Sequence, residues 1–349
     1  MIKIISMLSL LLAIYGAFIF IFLSWLPRLG VHWLSNSSLK RLVINGTALL
    51  ISVVCYLKEP GALTLVVLAL ALFLFAFIFI VVPANIFPAL QRTVHAKKEK
   101  AFLDPQTEVL GVAVNGESLA LPVLDLLVPH HLVNDVIGGK SVVISYCPAC
   151  RSGMVYSSEV QGQKLTFEVA GMWRKNLVMT DLETRTLWQQ VTGEAVYGKL
   201  KGKHLEKLFV QQMTMDAWAH EYPETSVAEE PRDAKQAIFP KKQFIGFMLK
   251  GTQRISLPGI NKRDKRLPAH EEVVGVHIGK AIKAYPVSLL REKKTISDTI
   301  DGITVELRYD PGSKAITIFK GPDREPLAVE RHWWLAWSEF YPETMVYGN

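Results

Sequence analysis

Two apolar runs, residues 4–26 and 62–82, contain no charged side chain. Each is long enough to cross about 30 Å of hydrocarbon as a helix, and a helix is one of the few shapes that leaves no backbone polar group bare in lipid. A shorter run covers 42–57, and only Lys58, Glu59, Pro60 and Gly61 separate it from the last one, which reads as a tight helical hairpin turn. Trp25, Trp33 and Tyr56 sit at run ends, where amphipathic rings favour the headgroup layer. The sequence therefore predicts a three-helix anchor within residues 1–101, with the lipid bilayer as its first partner. A cleaved signal peptide is the competing reading of the first run, but only Lys3 precedes it and no small-residue cleavage site comes before Pro27.

The formal charge of +7 belongs wholly to this third of the chain, which holds nine basic residues and two acidic ones. The polar remainder is electrically neutral. It lacks the field that drives binding to a phosphate backbone, so nucleic acid is excluded as the expected partner. Three cysteines in 349 residues also exclude a disulfide scaffold. Arg28, Lys40 and Arg41 precede the second run, and Arg92, Lys97, Lys98 and Lys100 follow the third. With three spans these two segments share a side, which by the positive-inside rule places the large domain in the cytoplasm.

Beyond residue 101 the chain repeats itself. Ala217-Trp218-Ala219-His220-Glu221-Tyr222-Pro223-Glu224-Thr225-Ser226-Val227 matches Ala336-Trp337-Ser338-Glu339-Phe340-Tyr341-Pro342-Glu343-Thr344-Met345-Val346 at seven of eleven positions. Val109-Leu110-Gly111-Val112 parallels Val273-Val274-Gly275-Val276, and Asn134-Asp135-Val136-Ile137 parallels Ser297-Asp298-Thr299-Ile300. Cys147-Pro148 then falls in register with Asp310-Pro311. The order is kept throughout, as a duplication requires. The expected fold class is α+β, mainly antiparallel β, built as two degenerate repeats behind three transmembrane helices. The first repeat spans 102–230 and carries extra strands; the second, shorter one spans 231–349 and has no cysteine. The joint is placed at 228–270, a polar stretch whose basic run at 261–266 reads as solvated surface.

Tyr146-Cys147-Pro148-Ala149-Cys150 ends one predicted strand and precedes another, Met154-Val155-Tyr156. A C-x-x-C on a strand-turn-strand presents two sulfurs and the turn's N–H groups to one point, which is the geometry of a metal knuckle for zinc, iron or copper. Thiol exchange is the competing chemistry, with Arg151 lowering a cysteine pKa. Thioredoxin-like enzymes put the pair at a helix N-terminus, so that fold is rejected here while redox chemistry stays open. One knuckle gives two ligands. Met213 and His220 are the candidates for the rest, and Met213 aligns with His332 through the Trp motif. Arg174, Asn176 and Glu194 lie in the inserted strands of the cysteine-bearing copy and are candidates for binding an anionic substrate or for acid–base work.

The cysteine motif, together with Asn176-Leu177-Val178-Met179, Leu187-Trp188-Gln189-Gln190, Gly193-Glu194-Ala195, Trp218 and Pro223-Glu224-Thr225, resembles a widespread bacterial and archaeal family known only as a domain of unknown function. The resemblance covers roughly 104–349 and includes Lys283-Ala284-Tyr285-Pro286. Exported or lipid-anchored relatives imply an extracytoplasmic domain, against the charge count. Relatives with selenocysteine at the motif imply redox or soft-metal chemistry. Glu168 and Arg151 stand where glycine is common in the family. The resulting expectation is a membrane-anchored protein with a cysteine-based metal or redox site and an unknown small molecule or redox partner; the alternative is a binding or assembly module with structural cysteines.

Overall fold

The computed structural model describes residues 1–22, 30–101, 103–236 and 264–348. Trp25, Arg28, most of the expected joint and the first half of its basic run therefore lie outside the described residues. Three helices, α1 (Ile2–Phe22), α2 (Ser37–Lys58) and α3 (Ala62–Ile80), are long and apolar enough to span a bilayer. They pack on one another through small and polar residues, as lipid-embedded helices do. On α2 the inward stripe is Arg41, Asn45, Ala48, Ser52 and Cys55, spaced three or four residues apart. Ser52 meets Ser9 of α1 at 2.8 Å. Arg41 is inside α2 rather than in the preceding loop, and its guanidinium donates to the carbonyls of Ala17 (3.1 Å) and Val81 (2.6 Å) near the ends of α1 and α3.

The remaining described residues form five sheets of three or more strands. One holds β1 (Val94–Lys97), β14 (Ser226–Glu229), β3 (Glu117–Pro122), β2 (Glu108–Val114) and β13 (Val210–Thr214), in that order. The second holds β4 (Leu132–Ile137), β5 (Lys140–Cys147) and β6 (Ser152–Ser157). The third holds β9 (Phe167–Trp173), β10 (Asn176–Asp181), β11 (Leu187–Gln189) and β12 (Ala195–Tyr197). In the fourth, β15 (Glu272–Ile278) and β16 (Ala281–Pro286) lie between β21 (Glu330–Trp333) and β22 (Met345–Val346). The fifth is a meander of β17 (Thr295–Ile300), β18 (Ile303–Tyr309), β19 (Ile316–Lys320) and β20 (Glu325–Leu327). A small ribbon, β7 (Glu159–Val160) and β8 (Gln163–Lys164), follows β6. Pairing is antiparallel except for β14 on β3 and β22 on β16.

These sheets are the blades of a five-bladed β-propeller, and this corrects the expectation of two degenerate repeats. The mixed, mainly antiparallel character holds; the division into two units does not. Two physical reasons account for the difference. The strands read as an insertion pair with one another and make a blade of their own, β9 to β12. Each sequence unit is also split between sheets, because β13 and β14, and likewise β21 and β22, return from far along the chain to flank the β2–β3 and β15–β16 hairpins. The sequence matches therefore report likeness between particular blades rather than a halving of the domain.

That likeness is physical at one spot. Trp218, on α4 (Met215–Glu221), lies flat on Gly111 of β2, and Trp337, on α5 (Trp334–Phe340), lies on Gly275 of β15; a Cβ on either glycine would collide with the indole. Each indole N–H donates to a threonine hydroxyl seven residues on, Thr225 at 2.9 Å and Thr344 at 3.1 Å. The shared Trp and Pro-Glu-Thr signature is thus a buried ring and the partner of its polar end.

The third blade sits between the anchor and the domain core. Ala170, Val178 and Leu187 pack against Phe20, Leu34 and Val81 of the anchor, while Leu177, Met179 and Trp188 face the cluster that contains the cysteines. Alternation along β10 sends successive side chains to opposite faces, so the cysteine core lies one sheet, about 10 Å, from the ends of the membrane helices. The β10–β11 connection is held by the buried carboxylate of Asp181, which accepts from Thr184 Oγ1 (2.9 Å), Thr186 N (3.1 Å) and Trp188 Nε1 (2.8 Å).

Candidate functional site: the cysteine turn

β5 ends at Cys147 and β6 begins at Ser152, its ladder partner, so the turn between them is fixed at both ends. Cys150 N–H closes the turn on the Cys147 carbonyl at 3.1 Å, and Arg151 takes the left-handed conformation (φ 54°) that glycine adopts without strain. The Arg151 side chain stabilises this conformation through bonds to Glu272 (2.9 Å) and Glu108 (3.1 Å). Its charge is thus committed to two carboxylates rather than to a sulfur. Trp333 N–H of β21 donates to the Cys150 carbonyl at 2.8 Å, which ties the turn to the fourth blade.

Cys147 and Cys150 are both free thiols, 3% and 0% exposed, with their sulfurs 3.1 Å apart. Their environments differ. The hydrogen-bond contact with Cys150, against the effect of burial, lowers the Cys147 pKa; the N–H groups of Leu177, Cys150 and Ala149 act in the same direction. Burial pushes Cys150 the other way, well above the usual thiol value, and the neighbouring Cys147 sulfur adds to that. The Cys150 sulfur also contacts the Lys175 carbonyl (2.8 Å) and the Asn176 amide nitrogen (3.4 Å). The pair is therefore built unequally, one sulfur poised to carry charge and the other to keep its proton.

Behind Cys150 runs a buried amide network. Asn176 Nδ2 donates to Gln190 Oε1 at 2.8 Å, Ser152 Oγ donates to the same oxygen at 3.0 Å, and Gln189 Nε2 donates to Asn176 Oδ1 at 2.6 Å. Gln190 Nε2 reaches Ser145 Oγ at 3.2 Å. Such a network, nearly saturated in a dry interior, holds its members rigidly. The sequence reading missed Ser145, Ser152, Gln189 and Gln190 as a unit. The available signal was adjacent glutamines beside apolar strand residues, a pattern that buries amides.

Of the other expected site residues, Asn176 meets the pair and the rest are held elsewhere. Arg174 grips Glu339 (3.1 Å) and its carbonyl (2.7 Å), and its guanidinium lies over the Phe340 ring. Glu194 sits at the β11–β12 turn, where its carbonyl accepts from Gln189 N–H at 2.8 Å. Met213 is buried beside Trp218 in a different cluster, and His220 is exposed on α4. Among the described residues no third His, Cys, Asp or Glu joins the two sulfurs in a group able to hold a metal.

No curated protein and no solved structure matches the chain. A family model described as "Protein of unknown function (DUF3179)" matches residues 82–344, which takes in every blade strand but β22 and the segment leaving α3. The chain belongs to the DUF3179 family, carried here behind three membrane-spanning helices.

Proposed function

We propose that this membrane-anchored domain is a thiol–disulfide exchange protein in which Cys147 is the nucleophile and Cys150 the resolving thiol. The observation that carries this reading is the 3.1 Å sulfur pair with opposed acidities. In the exchange, the Cys147 thiolate attacks a sulfur of a partner disulfide, the partner's S–S bond breaks and its other sulfur leaves as a thiolate that takes up a proton. Cys150 then loses its proton and attacks the Cys147 sulfur, which releases the second partner thiol. Two electrons pass to the partner, and a Cys147–Cys150 disulfide remains. Asn176 orients Cys150, and the N–H groups of Ala149, Cys150 and Leu177 carry the charge on Cys147.

Near-complete burial favours a second reading, in which the cysteines are structural and the domain binds or assembles without catalysis. Full-length protein in detergent separates the two. With Cys150→Ser, a small disulfide probe should be trapped on Cys147 as a mixed disulfide, and with Cys147→Ser it should not be trapped. Absence of trapping in both variants supports the structural reading. Near-stoichiometric zinc, iron or copper in anaerobically purified protein, lost in either variant, would instead assign the sulfurs to a metal. We further place the domain outside the cytoplasm, where such couples persist oxidised. A reporter fused after residue 349 that is active only in the cytoplasm would contradict this.

A further inference from the structure

The blade formed by β21, β15, β16 and β22 carries charge where its likeness carries none. In the first sheet, Gln211 stands opposite Gly111 and Met213 opposite Val109; in the fourth, Glu330 stands opposite Gly275 and His332 opposite Val273. Two residues beyond each glycine come Ala113 and His277. Three positions that one blade fills with an alanine, an amide and a thioether thus hold an imidazole, a carboxylate and a second imidazole in the other. Trp337 covers both rings, with centroids 5.5 Å from His277 and 5.2 Å from His332. The fold itself does not require these charges, since the first sheet seats its tryptophan without them.

Glu330 is the hub. Lys207 Nζ donates to its Oε1 at 2.5 Å, His277 Nε2 lies 3.9 Å from Oε1, and His332 Nε2 lies 3.7 Å from Oε2. Those two ring nitrogens and Oε2 are buried without a hydrogen-bond partner. Lys207 belongs to a segment on the edge of the cysteine-bearing sheet: Ser157 N–H donates to Glu206 O at 2.8 Å and Leu208 N–H to Val155 O at 2.9 Å. The single carboxylate therefore joins the edge of β6 to a strand of another blade, and β21 also holds the cysteine turn through Trp333.

We propose that Lys207, Glu330, His332 and His277 form an acid-released clasp that fastens the edge of the cysteine-bearing sheet to the fourth blade. At neutral pH the clasp is one carboxylate and one ammonium, with two neutral rings. The other titratable groups that face it, Tyr156 of β6 and Tyr341 just after α5, are kept protonated by burial. Acidification leaves Glu330 ionised, because Lys207 and the two histidines hold its carboxyl far below the usual range although burial works against this. The histidines therefore charge first, and burial sets their protonation below the ordinary value of 6.5. One carboxylate then faces up to three cations in a poorly solvated site. Lys207, with 31% of its side chain exposed, is the cation able to leave for water.

Hydrogen exchange on the full-length protein in detergent tests this at the Ser157 and Leu208 amides. After correction for intrinsic rates, exchange there should rise about tenfold between about pH 7.5 and pH 5, while amides of β18 and β19 stay unchanged. Lys207→Met should give the fast exchange already at neutral pH, and His277→Gln, at a ring with 34% of its side chain exposed, should weaken the pH response. Exchange at these amides that is independent of pH, a response undiminished in His277→Gln, or an equal rise across all blades would overturn the clasp.

Discussion

The turn after β5 and the turn after β18 start from the same Xaa-Pro corner and use their N–H groups alike. In the second, the Asp310 carboxylate accepts from the Ser313 hydroxyl (2.5 Å), Gly312 N–H (3.0 Å) and Ser313 N–H (3.2 Å), which together lower its pKa in open solvent. In the first, the contact with Cys150, and with it the N–H groups two and three residues on, those of Ala149 and Cys150, lower the pKa of the Cys147 thiol inside the core. One backbone shape thus favours the deprotonated form in both places. What differs is water, and only the buried copy has a second thiol to share the charge. Cys147 thus stands where the exposed turn keeps a carboxylate, which supports its assignment as the proposed nucleophile.

The largest expected effects test the frame that makes the comparison possible. Trp218→Ala and Trp337→Ala each empty a fully buried site over a glycine, and each should lower stability by about 3–5 kcal/mol, read from unfolding of the detergent-solubilised protein. If only one did so, the two blades would not be energetically alike. Removing the acceptor from each turn comes next. Cys147→Ala removes a buried sulfur packed against Cys150 and should cost about 1–3 kcal/mol, whereas Asp310→Ala leaves its N–H partners to water and should cost about 0.5–1 kcal/mol. Equal losses would mean that burial does not distinguish the turns.

A smaller effect concerns the matched aspartates, Asp135 and Asp298. Asp298 is held by Lys283 at 2.6 Å and Tyr285 at 2.8 Å, and Asp135 by His95 at 3.2 Å and by Thr93. Both carboxyls are held below the usual range by these partners although burial works against it, so each contributes stability that is lost as pH falls through its lowered pKa. His95 behaves oppositely. Its bond to Asp135 raises its pKa, helped by Glu117 and opposed by burial, so its contribution is complete below 6.5 and disappears as pH rises through the raised value. His95→Gln should abolish about 0.5–1 kcal/mol of loss on the alkaline side and leave the Asp298 side untouched. An unchanged alkaline slope would contradict this assignment.

Much of this was legible in the chain. The anchor follows from uncharged length, and Trp218, Trp337 and their threonines follow from a repeated motif. The blades were not legible, because strand composition marks β9 to β12 as strands but carries no record of whether they join a neighbour's sheet or make their own. Asn176 was identifiable as a polar residue at a strand start near the cysteines in sequence. Arg174, two residues earlier, was equally plausible, yet it turns to Glu339, a partner 165 positions away. The titratable trio Glu330, His332 and His277 was visible only as three scattered residues, since Glu330 and His332 alternate along one strand while His277 comes from another.

The most direct test is a redox titration of the full-length protein, with free thiols alkylated and counted by mass at each potential. The account predicts that Cys147 and Cys150 disappear together as one two-electron couple, fully reversible, while Cys55 stays reduced. Two thiols that remain alkylatable after denaturation at every potential, or that are oxidised singly, would contradict it.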